Sequence, residues 1–344
     1  MKLRPGGAEI LLVLGSLLFL GLLALIGELA VRTFSDLNFL GNSRDLFVAE
    51  AYGPSKGNAP NAEGVSFGAV VYTDEHGFRV PKGGFPGDDG KTEAILILGD
   101  SVGFGPAVEE GETFAGLLRA RFPTRRIYNS SVIGYATDDY KNIVDSFLPL
   151  HEEVVAVVLV YCLNDVSTRS AQNIDRYLQA QKEERIPEEE LTESLRAISL
   201  FRDANDFLRE RSKFYLWLKH RVLRSQRRGW KAVLPLYADD GLLAQSIGQI
   251  GEIAAGLKER GIPFVVALSP FEYQLRHPDE PESEIPQRKV GALLAAMDVD
   301  FIDPRPRFDG GVPPSTYFLP YDPMHLSREG HRVMTDVIVG ALRD

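Results

Sequence analysis

The sequence predicts an α/β protein with three layers, α/β/α, built on a mostly parallel, doubly wound sheet and preceded by an N-terminal transmembrane helix. From residue 93 onward, short apolar runs alternate with segments of helical periodicity. This alternation is typical of a parallel sheet that carries helices on both faces. The transmembrane helix is predicted by the stretch 10–27, where no residue is charged.

The bulk composition narrows the class of protein further. The chain has 344 residues, of which 44% are hydrophobic, so it can bury a large core. A net charge of −10 argues against a general nucleic-acid binder. The single cysteine, Cys162, excludes an intramolecular disulfide framework and a cysteine-based zinc site. We find no metal motif and no phosphate-binding glycine loop, so we expect no cofactor.

The N-terminal apolar run predicts a transmembrane signal anchor over residues 9–31. As a helix, residues 10–27 would span about 27 Å, enough for a bilayer core. The run is longer than a usual signal-peptide core, and no A-x-A-like cleavage site follows it. Lys2 and Arg4 predict that the tip, residues 1–8, stays in the cytoplasm and that the rest is exported. A cleaved signal peptide and a buried core helix are the alternatives.

Residues 32–92 are rich in glycine and proline and predict a linker with one or two short strands. The domain then begins near residue 93. We expect strands at 94–98, 126–132, 154–161, 263–269 and 299–303, and helices at 113–122, at 241–261 and from Ser327 to near the C-terminus. Gly261 is the expected end of the second of these helices, and Ser327 is the expected N-cap of the last.

A charged helical insertion at about 169–235 separates the third and fourth strands. Its second part, 209–231, has nine Lys/Arg residues against one Glu, with apolar side chains interleaved. One interpretation is a solvated helix that packs Phe214, Leu218 and Val222 on the domain. The other is a basic amphipathic helix that rests on an anionic membrane surface or polymer.

Polar residues follow the strands where ligands bind in open parallel sheets, beyond the carboxyl ends. Ser101 comes directly after the first strand and can act as a nucleophile. His325 can serve as its general base, and Asp322, three residues earlier, can orient the imidazole. The backbone N–H groups of Ser101 and Gly134 and the side-chain amide of Asn164 are candidate oxyanion donors.

These residues lie in four blocks that resemble the SGNH, or GDSL-type, serine hydrolase superfamily. The blocks are Gly99-Asp100-Ser101, then Asn129 with Gly134, then "CLND" with Asn164 and Asp165, and Asp322 to His325 followed by "LSREGH". The resemblance covers about residues 94–344, and "DEHGFR" (74–79) is similar to the lead-in of membrane-anchored bacterial members. The blocks occur in the family's order, each beside its expected element.

The resemblance implies a catalytic Ser101, His325 and Asp322 and an oxyanion hole formed by Ser101, Gly134 and Asn164. We therefore expect a membrane-anchored extracytoplasmic esterase or O-acyltransferase, with its main domain outside a bacterial inner membrane. Its substrates would be acyl, especially acetyl, esters of envelope polysaccharide or lipid. The partners implied are the bilayer, such a substrate and other membrane subunits, but not nucleic acid.

One position departs from the family pattern. Cys162 stands where the third block usually has glycine, and a side chain there could crowd the oxyanion hole. A small free cysteine also packs as a buried hydrophobe. This departure keeps open an alternative of another class, a catalytically silent subunit of a membrane complex that retains the fold.

Overall fold

A computed structural model describes residues 7–35, 37, 41–85, 90–166, 207–208, 211–223 and 225–342. The chain divides into two compact units, one formed by Met1–Leu40 with Glu190–Arg224 and the other by Gly41–Glu189 with Ser225–Asp344. Residues 1–6 of the predicted cytoplasmic tip lie outside the described residues, as do residues 169–206, 209–210 and 224 of the predicted insertion.

The helices and strands of the described residues alternate from the first parallel strand onward. The helices are α1 (Gly7–Phe34), α2 (Ser101–Phe104), α3 (Phe114–Arg121), α4 (Thr137–Phe147), α5 (Lys213–Leu223), α6 (Ser225–Val233), α7 (Asp240–Glu259), α8 (Glu272–Arg276), α9 (Ile285–Ala296) and α10 (Arg328–Ala341). The strands are β1 (Phe47–Tyr52), β2 (Ser55–Asn58), β3 (Glu63–Ser66), β4 (Ala69–Thr73), β5 (Arg79–Val80), β6 (Glu93–Gly99), β7 (Arg125–Asn129), β8 (Val154–Cys162), β9 (Phe264–Ser269) and β10 (Asp300–Ile302).

The first unit contains α1 and α5. Within α1, Glu9–Phe34 contains an 18-residue window with a mean hydropathy of 2.8 and is long and apolar enough to cross a membrane. Its leucines are exposed on several sides, for example Leu18 at 76% and Leu25 at 66%. A helix that is apolar all round suits a hydrocarbon environment better than water.

The second unit is built on an eight-stranded sheet in the order β10-β9-β8-β6-β7-β5-β4-β3. The strands β6 to β10 pair in parallel, whereas β5, β4 and β3 join one edge in antiparallel pairing. Parallel strands buried on both faces need continuous apolar sequence, and β8 is buried at every position but Val155. The predicted mostly parallel α/β sheet is therefore confirmed.

The strand order also explains the helix layers. From β6 the chain moves to β7 on one side, then returns to β8, β9 and β10 on the other. Right-handed crossovers then place α3 on one face of the sheet and α4, α7 and α9 on the opposite face. In agreement, α3 packs against α10, while α4 and α9 pack against α7. The direction in which successive strands are added to the sheet reverses at β6. Such a switch point opens a crevice beyond the strand ends.

The helix ends follow local chemistry. Asp239 caps α7 by accepting the Leu242 N–H at 2.9 Å. Ser327 caps α10 by accepting the Gly330 N–H at 3.2 Å, as predicted. Gly261 follows α7 with φ +69°, a conformation that favours glycine, so this helix ends where the sequence predicts.

Residues 41–85 contribute more structure than the predicted one or two strands. β1 and β2 pair as a separate hairpin, and β3, β4 and β5 extend the main sheet. Arg79 in β5 is fully buried and donates to the carbonyl oxygens of Phe104 and Gly105, both at 2.6 Å, and of Val108 at 2.5 Å. Because these carbonyls lie at the end of α2 and just beyond it, β5 fixes the segment that starts at Ser101.

Candidate active site

Ser101 lies at the switch point of the sheet, directly after β6. Asp100 caps α2 by accepting the Val102 N–H at 2.7 Å, and Ser101 is the first residue of that helix. Gly99 permits the tight turn, because an added Cβ would lie 3.0 Å from both Gly103 Cα and Ser131 Oγ. The sequence thus brings a serine hydroxyl to the carboxyl end of the central parallel strand.

His325 and Asp322 come from the loop that precedes α10. The Asp322 Oδ1 atom accepts the backbone N–H groups of Met324 at 3.0 Å and His325 at 2.9 Å. Its Oδ2 atom lies 2.7 Å from His325 Nδ1. An aspartate that accepts N–H groups two and three residues onward forms a tight turn. This turn presents the imidazole and holds it against the carboxylate.

The three side chains form one hydrogen-bonded chain. His325 Nε2 lies 2.9 Å from Ser101 Oγ, and Nδ1 of the same ring lies against Asp322. The side chains of His325 and Asp322 are each only 13% exposed. The structure therefore brings together the serine, histidine and aspartate that the sequence singled out, in the order that proton transfer needs.

Burial and neighbouring charge have opposite effects on the pKa values of Asp322 and His325. Burial disfavours the Asp322 carboxylate, but the charge and hydrogen bonds of His325 hold the pKa of Asp322 below its usual value. Burial also disfavours the imidazolium, but Asp322 and, to a smaller extent, the charge of Asp100 raise the pKa of His325 above 6.5. The site thus stabilises the imidazolium that forms when the histidine takes a proton.

Asp100 is a second acceptor for the serine hydroxyl. Its Oδ2 atom lies 3.0 Å from Ser101 Oγ, on a side chain that is fully buried. Since a hydroxyl has one proton, Ser101 donates either to Asp100 or to His325. Ser101 Oγ thus has two alternative acceptors, and burial raises the pKa of Asp100 above its usual value.

The predicted oxyanion residues follow the two strands that flank β6. Gly134 lies in the loop after β7, with φ +79°, and Asn164 lies in the turn after β8. Ser101, Gly134 and Asn164 thus follow three adjacent parallel strands at the same edge. Among the described residues, Asn164 Oδ1 is buried and has no hydrogen-bond partner.

Cys162 and Asp165 lie behind the site, at the end of β8. Both are fully buried, and the Cys162 N–H donates to Asp165 Oδ2 at 2.9 Å. Burial raises the pKa of the Cys162 thiol well above its usual value, which opposes the thiolate that a nucleophile requires. Tyr140 donates to the same Asp165 oxygen at 2.5 Å. These contacts favour a structural role for Cys162.

The same residues form a candidate metal group, because ligand atoms of Asp100, Cys162 and Asp165 lie within 4.8 Å of one another. Backbone and phenol donors already occupy one oxygen of Asp100 and one of Asp165. We assign this buried group to the support of the strand ends.

Two residues near the site were not predicted from the sequence. The Phe67 ring meets the His325 ring edge-on, with centroids 5.6 Å apart, and Phe67 has φ +49°. Lys56 Nζ lies 3.3 Å from where a Cβ on Gly134 would be. Both come from the segment predicted to be a linker. No periodicity marks either residue, although "SFGA" and "PSKGN" each place a glycine beside it.

Of three comparisons with known proteins, the one with solved structures finds matches, all of those described here at low sequence identity. No protein-family model matches the chain, and no curated protein matches it. Among solved structures 53 chains match, and many are GDSL-type lipolytic hydrolases, the family that the four sequence blocks resemble.

Three of these structures illustrate the match. TesA has 14% identity and a TM-score of 0.42, over 73% of this chain and 98% of its own. A lipolytic G-D-S-L family protein from Veillonella parvula has 13% identity and a TM-score of 0.40, over 72% and 97%. A catalytic mutant of the acetylxylan esterase Axe2 from Geobacillus stearothermophilus has 14% identity and a TM-score of 0.42, over 72% and 93%.

Proposed function

We propose that this protein is a membrane-anchored, extracytoplasmic serine esterase or O-acyltransferase of the SGNH type. The observation that carries the proposal is the chain from Ser101 Oγ to His325 Nε2 at 2.9 Å and from His325 Nδ1 to Asp322 at 2.7 Å. Serine nucleophiles are activated by this arrangement of base and orienting carboxylate on many unrelated folds.

In the proposed mechanism, Ser101 Oγ attacks the carbonyl carbon of an ester while His325 Nε2 takes the hydroxyl proton. The Asp322 carboxylate keeps the imidazole oriented and stabilises its positive charge. The tetrahedral oxyanion binds the N–H groups of Ser101 and Gly134 and the side-chain amide of Asn164. His325 returns the proton to the leaving alcohol, and an acyl group remains on Ser101.

The second half of the reaction decides between hydrolysis and transfer. His325 removes a proton from water or from an acceptor hydroxyl, whose oxygen then attacks the acyl carbon. His325 returns this proton to Ser101 Oγ as the bond to the acyl carbon breaks, which releases a carboxylic acid in the first case and a new ester in the second. Both outcomes use the same three side chains and need no cofactor.

The proposed substrates are acyl, especially acetyl, esters on envelope polysaccharides or lipids, as the family resemblance implies. The apolar helix α1 supports anchoring in the bacterial inner membrane with residues 1–8 inside and the main domain outside. An anchored domain of this kind reaches substrates attached to or made at the membrane surface.

The alternative function is that of a catalytically silent subunit of a membrane complex. A subunit without catalytic duty has no need for an aligned Ser101, His325 and Asp322, so their geometry favours the enzyme. The rival predicts that the full chain, purified in mild detergent, carries stoichiometric partner subunits. The enzyme proposal predicts activity in the chain alone.

The test is hydrolysis of p-nitrophenyl acetate by the full chain in mild detergent. Ser101→Ala should lose at least 10³-fold in kcat/KM, since the nucleophile is removed. Ser269→Ala is the matched control, because Ser269 ends the neighbouring strand β9, is fully buried and has no Oγ partner among the described residues. Equal rates for the wild-type chain and Ser101→Ala would overturn the proposal.

A further inference from the structure

Glu28, near the C-terminal end of α1, caps the N-terminus of α5. Its Oε1 atom accepts the Lys213 N–H at 3.0 Å, and Oε2 accepts the Phe214 N–H at 2.9 Å and the Ser212 hydroxyl at 2.7 Å. The first N–H groups of a helix have no partner within that helix, so a carboxylate there is a strong cap. A side chain of the apolar helix therefore fixes where α5 begins.

Two further contacts hold this junction. Arg32 donates from Nε to Glu28 at 2.6 Å and from a terminal nitrogen to the Arg211 carbonyl oxygen at 3.0 Å. Gly27 leaves room for the Phe214 ring, because a Cβ at Gly27 would lie 2.7 Å from two ring carbons. The approach of α5 to α1 thus depends on a glycine, a carboxylate and a guanidinium within six positions of α1.

The junction lies where the apolar run of α1 ends. Residues 10–27 carry no charge, and Glu28 and Arg32 are the first charged residues after them. If α1 spans a bilayer, this level is the boundary between hydrocarbon and headgroups. The N-terminus of α5 is attached at that boundary.

The composition of α5 matches such a boundary. Residues 211–223 contain four Lys/Arg residues and no Asp or Glu. The Phe214 and Trp217 rings stack with centroids 6.0 Å apart, and the Arg221 guanidinium lies 5.2 Å from the Trp217 ring centroid. Leu218 is 44% exposed. Aromatic rings with cations beside them are typical of helices that lie in the headgroup region.

We propose that α5 is a membrane-surface helix that binds anionic lipid headgroups and is held at the bilayer boundary by Glu28. The inference rests on the proposed anchoring of α1, but not on the chemistry of Ser101. It gives the chain a second attachment to the membrane, about 180 residues after the first. The partner is a lipid surface, because the cap places α5 beside the membrane helix itself.

Bromine quenching of Trp217 tests this proposal directly. The full chain is reconstituted in nanodiscs of phosphatidylcholine with phosphatidylglycerol, and bromine is placed on the acyl carbons nearest the headgroups. The chain has two tryptophans, and the other, Trp230, is only 1% exposed. The emission lost in Trp217→Phe therefore defines the Trp217 signal. We expect brominated lipid to quench this signal about twofold or more.

Variants of α1 separate the docking of α5 from a general effect on the membrane helix. Gly27→Leu should displace the Phe214 ring and reduce the quenching at least by half, as should Glu28→Gln. Gly21→Leu is the matched control, because an added Cβ at Gly21 meets no described atom within 4 Å. Equal quenching in Gly27→Leu and Gly21→Leu would contradict the junction.

The lipid charge is tested with the same discs. Quenching should be stronger with phosphatidylglycerol than with phosphatidylcholine alone, and a Lys219→Gln/Arg221→Gln double variant should remove the difference. Equal quenching in both lipids would overturn binding to anionic headgroups. Emission of Trp217 that is unaffected by bromine would overturn the surface helix altogether.

Fluorophosphonate labelling of Ser101 on the same discs reports the proposed enzyme independently. Labelled protein without Trp217 quenching overturns the surface helix and leaves the enzyme standing. Failure of the chain to co-float with lipid overturns the anchor and the surface helix together.

Discussion

His325 Nε2 lies 2.9 Å from Ser101 Oγ, although 224 positions separate the two residues in the chain. Ser101 follows the central strand β6, and His325 precedes the last helix. The proposed nucleophile and its proposed base meet only when both ends of the sheet domain are folded. Loss of either the β6 turn or the Asp322 turn therefore removes the same function.

Asp322→Asn should lower kcat by about 10³–10⁴-fold, because an amide neither fixes the tautomer nor stabilises the imidazolium. The pH profile gives a second readout. Asp322 raises the pKa of His325 above 6.5, so the rising limb of kcat/KM in the wild-type chain lies above pH 6.5. In Asp322→Asn that limb moves to lower pH, whereas an unmoved limb would refute this assignment.

Asp100→Asn should move the same limb in the same direction by a smaller amount. The charge of Asp100 also raises the pKa of His325, but its effect is smaller than that of Asp322. Measurement of kcat/KM against pH for both variants ranks the two carboxylates. A larger shift in Asp100→Asn than in Asp322→Asn would reverse the roles assigned to them.

Phe67 is predicted to position the imidazole at a cost in backbone strain. Its ring meets His325 edge-on, and its φ of +49° is unfavourable for a bulky residue. Phe67→Ala and Phe67→Gly should both lose about tenfold in kcat/KM, because the ring support is lost. Only glycine relieves the strain, so Phe67→Gly should be more stable than Phe67→Ala by about 1 kcal/mol. Equal melting temperatures would contradict the strain.

Gly134→Ala tests the proposed oxyanion loop. With φ +79°, an alanine costs about 1–2 kcal/mol, and its methyl would lie 3.3 Å from Lys56 Nζ. Alanine keeps the backbone N–H, but the strain should displace it from the oxyanion. We therefore expect lower stability and a loss in kcat of up to about 10²-fold. Gly248→Ala in α7 is the control, because an added Cβ meets open space there. Full activity in Gly134→Ala would show that the loop does not depend on the left-handed conformation that glycine adopts without strain.

Asp165 should make folding stability fall with rising pH. Burial and the charge of Asp100 raise the pKa of Asp165 well above its usual value. Its contribution to stability is therefore complete below the unfolded pKa of about 3.9 and is lost as pH rises through the folded pKa. Asp165→Asn lacks this loss, so its melting temperature should depend less on pH. Asp240→Asn, at an exposed position, controls for the missing carboxylate. Parallel curves for Asp165→Asn and the wild-type chain would disprove the effect.

The periodic part of the fold was predictable from sequence. Strands buried on both faces leave continuous apolar runs, so the predicted 94–98 became Glu93–Gly99 and 263–269 became Phe264–Ser269. Helix ends could be predicted equally well where the capping residue is local in sequence, as at Ser327. The candidate site residues could be identified for the same reason, since Ser101, Asp322 and His325 each lie beside a recognisable element.

One or two short strands were expected within residues 32–92, but their antiparallel pairing at the edge of the sheet could not be predicted from sequence patterns. β5 has only two residues, too few to show a period, and it is held by pairing with β4 and β7. Phe67 reaches His325 through tertiary packing that no local pattern records. Glu28 has no visible partner in sequence either, because the N–H of Lys213 that it accepts lies 185 positions away.

Fluorophosphonate labelling of the full chain, with the modified peptide identified by mass spectrometry, tests the central claim most directly. The probe reacts with a serine only when a base and an oxyanion hole activate it. We predict one modified residue, Ser101, with labelling abolished in Ser101→Ala, reduced in His325→Ala and unchanged in Ser269→Ala. A folded wild-type chain that stays unlabelled, or that is labelled equally in Ser101→Ala, would contradict an activated serine at this site.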